Sequence, residues 1–126
     1  MNVQEMIELI EGRLLTSNQN HLDIEIKGGF GADLMSDVLT SIEPEAVLLT
    51  GLCNPQVVRT ATLADVSAIV LVRGKTVPPE TIDLANQEGI PLVSSEKGMF
   101  ELCAILHNAG LPSFEKPLPN ADCGCY

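Results

Sequence analysis

Glycines, hydroxyl groups and basic side chains recur at the points where four apolar segments of the chain end. These turns span residues 27–31, 50–54, 73–76 and 94–96. Glycine lets a backbone approach a ligand closely, and the free amides at a helix N-terminus favour anions. The pattern therefore predicts a site that holds a small anion. Its candidate residues are Gly28, Gly29, Gly31, Thr50, Gly51, Asn54, Arg73, Gly74, Lys75, Ser94 and Ser95.

Two basic residues, Arg73 and Lys75, stand at the third turn of an otherwise acidic chain. A planar guanidinium pairs better with phosphate or carboxylate than an ammonium does, which favours Arg73 over Lys75 as the anion-binding residue. A second interpretation stays open. Tight turns after strands use glycine in proteins that bind nothing there, and both charges would then be solvated surface residues.

The turns lack the common phosphate-binding motifs. Gly29-x-Gly31 would need a further glycine at position 34 to complete the dinucleotide fingerprint, and that residue is Leu34. The pattern GxxxxGKS/T does not occur in the chain either. We therefore expect no tightly held NAD or ATP.

Catalytic side chains are equally sparse in the sequence. Cys53 is the one nucleophile at these turns, just before a predicted helix start, and no base is assigned to it. His21 lies just before the first predicted strand and is expected at the surface, whereas His107 is expected near a helix C-terminus. The chain is therefore predicted to be a binding protein and not an enzyme.

Four cysteines are present, and two of them form the pair Cys123-x-Cys125 near the C-terminus. An iron–sulfur or zinc role is one hypothesis for this pair, but a closed site of that kind normally needs four ligands. Two tails of a homodimer could combine, or one tail could fold back towards Cys53. The alternative is a pair of free thiols. Cys103 falls on an apolar helical face and is predicted in the core.

Composition excludes several classes of partner. Seventeen acidic residues against seven basic ones give a formal net charge of −10, and the aromatic residues are three Phe and one Tyr. Nucleic-acid binding needs clustered positive charge and stacking side chains, so we exclude it as a main function. Anionic membranes are disfavoured for the same electrostatic reason. Apolar runs of four to six residues are too short to span a bilayer, and the acidic start is unlike a signal peptide, so we expect a cytoplasmic chain.

Strand-like segments alternate with segments of helical period along the chain. The strand-like segments are residues 22–27, 46–50, 68–72 and 90–94, and their anchor positions 24, 46, 68 and 90 are 22 residues apart. Alternation with short links predicts an α/β domain, a four-stranded parallel sheet between two layers of helices. The segment 22–27, LDIEIK, alternates apolar and charged residues, which is typical of an edge strand.

The chain changes character after Leu111. Three prolines occur there and no apolar period continues. We therefore predict one domain over residues 1–111 and an extended, cysteine-containing tail over residues 112–126.

The chain contains the stretches GGFGADLMSDVL, LLTGLCNPQVVRTA, AIVLVRGK and EGIPLVSSEKGMFELCAIL. Together they resemble stand-alone DRTGG-domain proteins, and the resemblance covers residues 1–111. This family also occurs as a regulatory segment of phosphotransacetylases and of some CBS-domain pyrophosphatases, and it is similar to the N-terminal domain of HPr kinase/phosphorylase. The resemblance implies a parallel sheet of order 2-1-3-4 with segment 22–27 inside it, a regulatory role without kinase activity, and a homodimer.

The residues that name the family are mostly replaced here. Its Gly-Asp-Arg turn falls on Gly51-Leu52-Cys53 and its Thr-Gly-Gly on Arg73-Gly74-Lys75, so Gly51 and Gly74 are the residues that match. Stand-alone members occur in anaerobes beside iron-only hydrogenases and their electron-transfer subunits, which makes such subunits candidate partners.

Three functions are therefore compared. The first, which we favour, is a regulatory module that binds a small anionic metabolite or nucleotide at the strand ends. The second is an accessory or redox-linked protein of a hydrogenase system, with metal at Cys123 and Cys125. The third is a dimerisation or docking scaffold without a ligand.

Overall fold

Three apolar runs of the sequence form the centre of a β-sheet. The strands β3 (Ala46–Thr50), β4 (Ala68–Leu71) and β5 (Leu92–Ser94) lie side by side and parallel. Every residue of β3 and β4 is buried, as expected for strands that are covered by helices on both faces. The structure is a computed structural model, and it describes residues 1–117.

Two shorter strands complete the sheet at its edges. β2 (Gly28–Gly31) runs parallel to β3, and β1 (Arg13–Leu14) runs antiparallel to β5 with Arg13 opposite Ser94. The order is β1-β5-β4-β3-β2. The predicted α/β class is confirmed, but the sheet is five-stranded and mixed. The predicted order 2-1-3-4 is wrong, because the four parallel strands follow one another in chain order.

The segment 22–27 is not a strand of this sheet. Residues Gln19–Asp23 form a short 3-10 helix, and the strand begins only at Gly28. The alternation of apolar and charged residues has another cause. Ile24 and Ile26 exchange backbone hydrogen bonds with the start of the chain, and Asn2 forms an antiparallel bridge with Glu25. The 22-residue spacing holds from the start of β3 to the start of β4 and not for the strand before them.

Helices cover both faces of the sheet. On one face lie α2 (Met35–Ser41), α3 (Pro55–Leu63) and α4 (Pro79–Glu88), and on the other lie α1 (Val3–Ile10) and α5 (Met99–Asn108). Right-handed crossovers between successive neighbouring strands place all three connecting helices on the same face. The last helix follows the last strand and is free to cross to the opposite face. None of the helices in residues 1–117 has the length and apolar character that crossing a bilayer requires.

The first part of the predicted tail covers the outer edge of β2. The amide of Gly29 donates to the carbonyl of Pro112 at 2.8 Å, and the amide of Phe114 donates to the carbonyl of Gly29 at 2.9 Å. The Phe114 ring packs directly over Gly28, in space that any Cβ at that position would need. Glycine at position 28 is therefore required by the close approach of this ring.

Gly28→Ala is expected to lower the free energy of unfolding by about 1–3 kcal/mol, because the new methyl group displaces the Phe114 ring. Urea unfolding of Gly28→Ala, Phe114→Gly and the double variant measures the coupling, because only glycine at position 114 removes the side-chain Cβ as well as the ring. We expect Gly28→Ala to cost much less in the Phe114→Gly background. An equal cost in both backgrounds would contradict the close packing of residues 28 and 114.

His21 is buried, and the expectation that it lies at the surface is wrong. It is 6 % exposed within the 3-10 helix, and its Nδ1 has no hydrogen-bond partner among residues 1–117. Burial lowers the pKa of this imidazole because the charged form loses its hydration.

Stability is expected to depend on pH through His21. With its pKa lowered in the folded state, the unfolded chain binds the proton more readily, so the free energy of unfolding falls as pH drops below about 6.5. Denaturant unfolding between about pH 7.5 and pH 5.5 measures this slope. We expect His21→Leu to flatten it and His107→Gln, at an exposed position, to preserve it. An unchanged slope in His21→Leu would refute the assignment.

Candidate functional site

A cavity of about 680 Å³ lies at the carboxyl ends of β4 and β5. The chain leaves β4 towards α4 on one face of the sheet and leaves β5 towards α5 on the other face. Two neighbouring loops therefore diverge at this point. Ligands of open α/β sheets bind where such loops diverge. In this sheet the diverging loops arise although the order of the parallel strands does not reverse, because α5 follows the last strand and packs on the opposite face.

The cavity has an apolar wall and a charged rim. Leu15, Val77 and Ile82 form part of the wall. The rim carries three basic and three acidic side chains, which are Arg13, Lys75, Lys97, Glu11, Glu96 and Glu101. A molecule with an apolar part and a charged group matches such a lining.

The three basic residues of the rim are not equivalent. Lys97 lies between two carboxylates, with its Nζ 3.9 Å from Glu11 Oε1 and 3.8 Å from Glu101 Oε2. Arg13 and Lys75 have no carboxylate within 4.0 Å in residues 1–117. Arg13 and Lys75 are therefore the basic residues of the rim that form no ion pair within this range, and the Lys75 ammonium lies beside Gly51 together with the Asp33 carboxylate.

Backbone hydrogen bonds join the two loops that border the cavity. The amide of Arg73 donates to the carbonyl of Lys97, and the amide of Gly74 donates to the carbonyl of Ser95, both at 2.9 Å. Arg73 and Gly74 both have left-handed backbones, with φ of 72° and 63°. The Ser95 hydroxyl is buried and donates to the carbonyl of Ile10 at 2.9 Å. These groups stabilise the loops and have no capacity left for an anion.

A second cluster of polar contacts surrounds the Gly51 peptide groups. Asp33 Oδ1 accepts hydrogen bonds from the Gly51 amide at 2.7 Å and from the Thr50 hydroxyl at 3.1 Å. The Lys75 ammonium donates to the Gly51 carbonyl at 2.6 Å. The Asp33 carboxylate thus accepts the hydrogen bond of the Gly51 amide, which the sequence pattern assigned to an external anion.

The predicted ligand-binding residues fall into separate groups. Thr50, Gly51 and Lys75 come together with Asp33, and the cavity lining includes Gly74, Lys75, Ser94 and Ser95. The remaining candidates, which the structure places elsewhere, are Gly28, Gly29, Gly31, Asn54 and Arg73. Their role in binding stays a prediction.

The positions of these remaining candidates have clear structural reasons. Gly28 and Gly29 are part of strand β2 and not of a loop, which corrects their predicted location. Gly31 lies against Met99 and Cys103, and Asn54 precedes α3 as its N-cap without a side-chain hydrogen bond. The exposed Arg73 is not among the described residues that line the cavity.

Sequence reasoning missed Asp33 and Arg13. Asp33 is the second residue after β2, and all loops after parallel strands meet at one edge, so its position alone could have indicated it. Arg13 had no such signal, because it lies on a two-residue antiparallel strand that no apolar pattern marks.

The two cysteines within residues 1–117, Cys53 and Cys103, are both partly buried against other residues of the domain. Cys53 Sγ lies 3.8 Å from the Gly51 carbonyl oxygen, and Cys103 is half-buried against the α1–α5 face of the core. Burial raises the pKa of the Cys103 thiol. Within that range no three His, Cys, Asp or Glu side chains gather as metal ligands. The predicted metal pair Cys123 and Cys125 lies outside the described residues.

Residues 5–109 match the DRTGG domain, so the chain belongs to the DRTGG-domain family. The resemblance found in the sequence is thereby confirmed. The fold is similar to a crystal structure of the CBS and DRTGG domains of the regulatory region of Clostridium perfringens pyrophosphatase, with a TM-score of 0.71 and 15% identity. That comparison covers 94% of this chain and 51% of the other, so the chain spans about half its length. No curated protein matches the sequence.

Asp33→Ala is expected to lower the free energy of unfolding by about 1–3 kcal/mol, because it leaves the Gly51 amide and the buried Thr50 hydroxyl without their acceptor. Thermal or urea unfolding measures the loss. Asp83→Ala, at an exposed position of α4, is the matched control and is expected to change stability by about 0.5 kcal/mol or less. Equal stability of the two variants would contradict the role given to Asp33.

Proposed function

We propose that this chain is a regulatory, non-catalytic DRTGG module that senses a small anionic metabolite or nucleotide. The ligand binds in the cavity at the carboxyl ends of β4 and β5. The observation that carries the proposal is a pair of basic residues, Arg13 and Lys75, on the rim of a cavity with an apolar wall. Neither residue forms an ion pair with a carboxylate of residues 1–117. The acidic charge of the rest of the chain makes this local positive pair distinctive.

The size of the cavity supports a ligand of mononucleotide size. Ligand sites for molecules of this kind have volumes of about 300–1,000 Å³. The cavity has about 680 Å³ and the wall formed by Leu15, Val77 and Ile82. A base or acyl group would pack on that wall while its anionic group meets the basic rim.

A second line of support comes from the structurally similar protein. The regulatory region of the Clostridium perfringens pyrophosphatase forms a complex with its activator, diadenosine tetraphosphate. A nucleotide is thus the activator of a regulatory region that contains a DRTGG domain beside CBS domains. The present chain corresponds to about half of that region, so its own effector has to be identified directly.

Ligand binding is expected to perturb the cavity loops selectively. Inorganic phosphate, acetyl phosphate, AMP and ADP are titrated into the ¹⁵N-labelled chain, and amide shifts are followed by NMR. We expect at least one compound to shift residues 73–77 and 94–97 because these two segments border the cavity. Saturable shifts confined to other surfaces, or none with any compound, would reject the proposed function.

Self-association is a second candidate function, supported by a different surface. A groove of about 450 Å³ lies between β2, α5 and residues 111–115, and Phe100 stands at its border with 90 % of its surface exposed. Large apolar side chains exposed beside an apolar groove are typical of protein interfaces. We infer that this groove contributes to a homodimer.

Phe100→Ser is expected to raise the dissociation constant of the dimer at least tenfold, because an aromatic anchor in an interface contributes about 2 kcal/mol or more to the binding free energy. Sedimentation equilibrium of the purified chain measures it. The matched control is Leu63→Ser, which removes another exposed apolar side chain on the opposite helical layer. A monomeric parent chain, or an equal effect of both variants, would reject the groove as the interface.

A further inference from the structure

Arg13 and Lys75 flank the end of the same strand. β1 and β4 are the two neighbours of β5, and neighbouring strands lie about 4.8 Å apart, so β1 and β4 are about 10 Å apart. Arg13 is level with Ser94, the last residue of β5, and Leu71 at the end of β4 is level with Ser94 too. Lys75 follows four residues after Leu71. Both side chains are exposed and long enough to extend over the carboxyl end of β5.

In the space between these two residues an anion would meet the two basic side chains of the rim that form no ion pair within residues 1–117. The third cation of the rim, Lys97, is already compensated by Glu11 and Glu101. The loop amides of Arg73 and Gly74 donate to backbone carbonyls. Arg13 and Lys75 therefore supply the positive charge, and an anion there would lie over the end of β5 at the mouth of the cavity.

Lys75 has a second role in the ligand-free structure. Its ammonium donates to the Gly51 carbonyl at 2.6 Å and so ties the loop after β4 to the loop after β3. The amide of Gly51 donates to Asp33 Oδ1 at 2.7 Å. Gly51 is thus held from the loop after β2 and from the loop after β4, and a ligand that draws Lys75 away releases one of these two contacts.

We propose that a phosphoryl group binds between Arg13 and Lys75, and that Lys75 leaves the Gly51 carbonyl to bind it. This inference rests on the proposed function and specifies the ligand group and the response. A phosphate can accept a paired guanidinium contact on two oxygens and an ammonium on a third, whereas a carboxylate has only two oxygens. Phosphorylated compounds are therefore favoured over simple carboxylates. The loop that carries Gly51 then changes its contacts when the cavity is filled.

The first test measures ADP affinity by calorimetry in the full chain. Arg13→Gln and Lys75→Gln are each expected to weaken binding by about 10- to 100-fold, because each removes a charge-assisted hydrogen bond. Arg13→Lys keeps the charge and is expected to retain part of the affinity. Arg59→Gln, on the exposed side of α3, is the matched control and is expected to stay within about twofold. Succinate, a carboxylate probe, is expected to bind at least tenfold more weakly than ADP.

The second test follows the Gly51 carbonyl carbon by NMR. Loss of the ammonium hydrogen bond moves this resonance upfield, so ADP is expected to shift it in the parent chain. In Lys75→Met the resonance is expected to stand upfield already and to stay there when ADP is added. The spectra also report whether each variant is folded.

The outcomes separate the two proposals. If none of the four compounds titrated by NMR shifts residues 73–77 and 94–97 of the parent chain, the proposed function and this inference both fail. If ADP binds and Arg13→Gln or Lys75→Gln leaves its affinity unchanged, the phosphoryl clamp is overturned while the sensing function stands. If affinity falls as expected but the Gly51 carbonyl resonance does not respond to ADP, the movement of Lys75 is overturned.

Discussion

The chain-order pairing of the parallel strands is the constraint on which the rest of the structure depends. Because β2, β3, β4 and β5 are neighbours in succession, their right-handed connections place α2, α3 and α4 on a single face. The opposite face is left to α1 and α5. Loops on this edge diverge where α4 and α5 leave β4 and β5, and a cavity of about 680 Å³ lies there.

The short loops that follow from this pairing also explain why the amides of Gly51 and Gly74 form hydrogen bonds within the protein. The Gly51 amide is bound by Asp33, and the Gly74 amide is bound by the Ser95 carbonyl. The buried Gly51 amide needs a partner, and for both glycines the short loops of this edge supply one internally. Charge for an external anion must then come from side chains. It comes from Lys75 and from Arg13, which the antiparallel strand β1 brings to the same edge.

The sequence predicted those elements that are set by local pattern. Apolar runs at 46–50 and 68–72 are strands, and the glycine-containing turns after them lie at the edge that holds the cavity. Non-local pairing was not predictable in the same way. LDIEIK alternates because Ile24 and Ile26 pair with the first residues of the chain, and a period of two does not reveal which partner a segment has. Arg13 lies at the site because β1 pairs with β5, and a strand of only two residues has no periodic pattern that the sequence could show.

A crystal structure of the chain with ADP tests most directly whether a phosphoryl group binds between Arg13 and Lys75. We expect electron density for a phosphoryl group over the end of β5, within hydrogen-bond distance of Arg13 and Lys75, with Lys75 Nζ no longer bonded to the Gly51 carbonyl. A cavity that stays empty at saturating ADP, or a phosphoryl group bound away from these two residues, would contradict it.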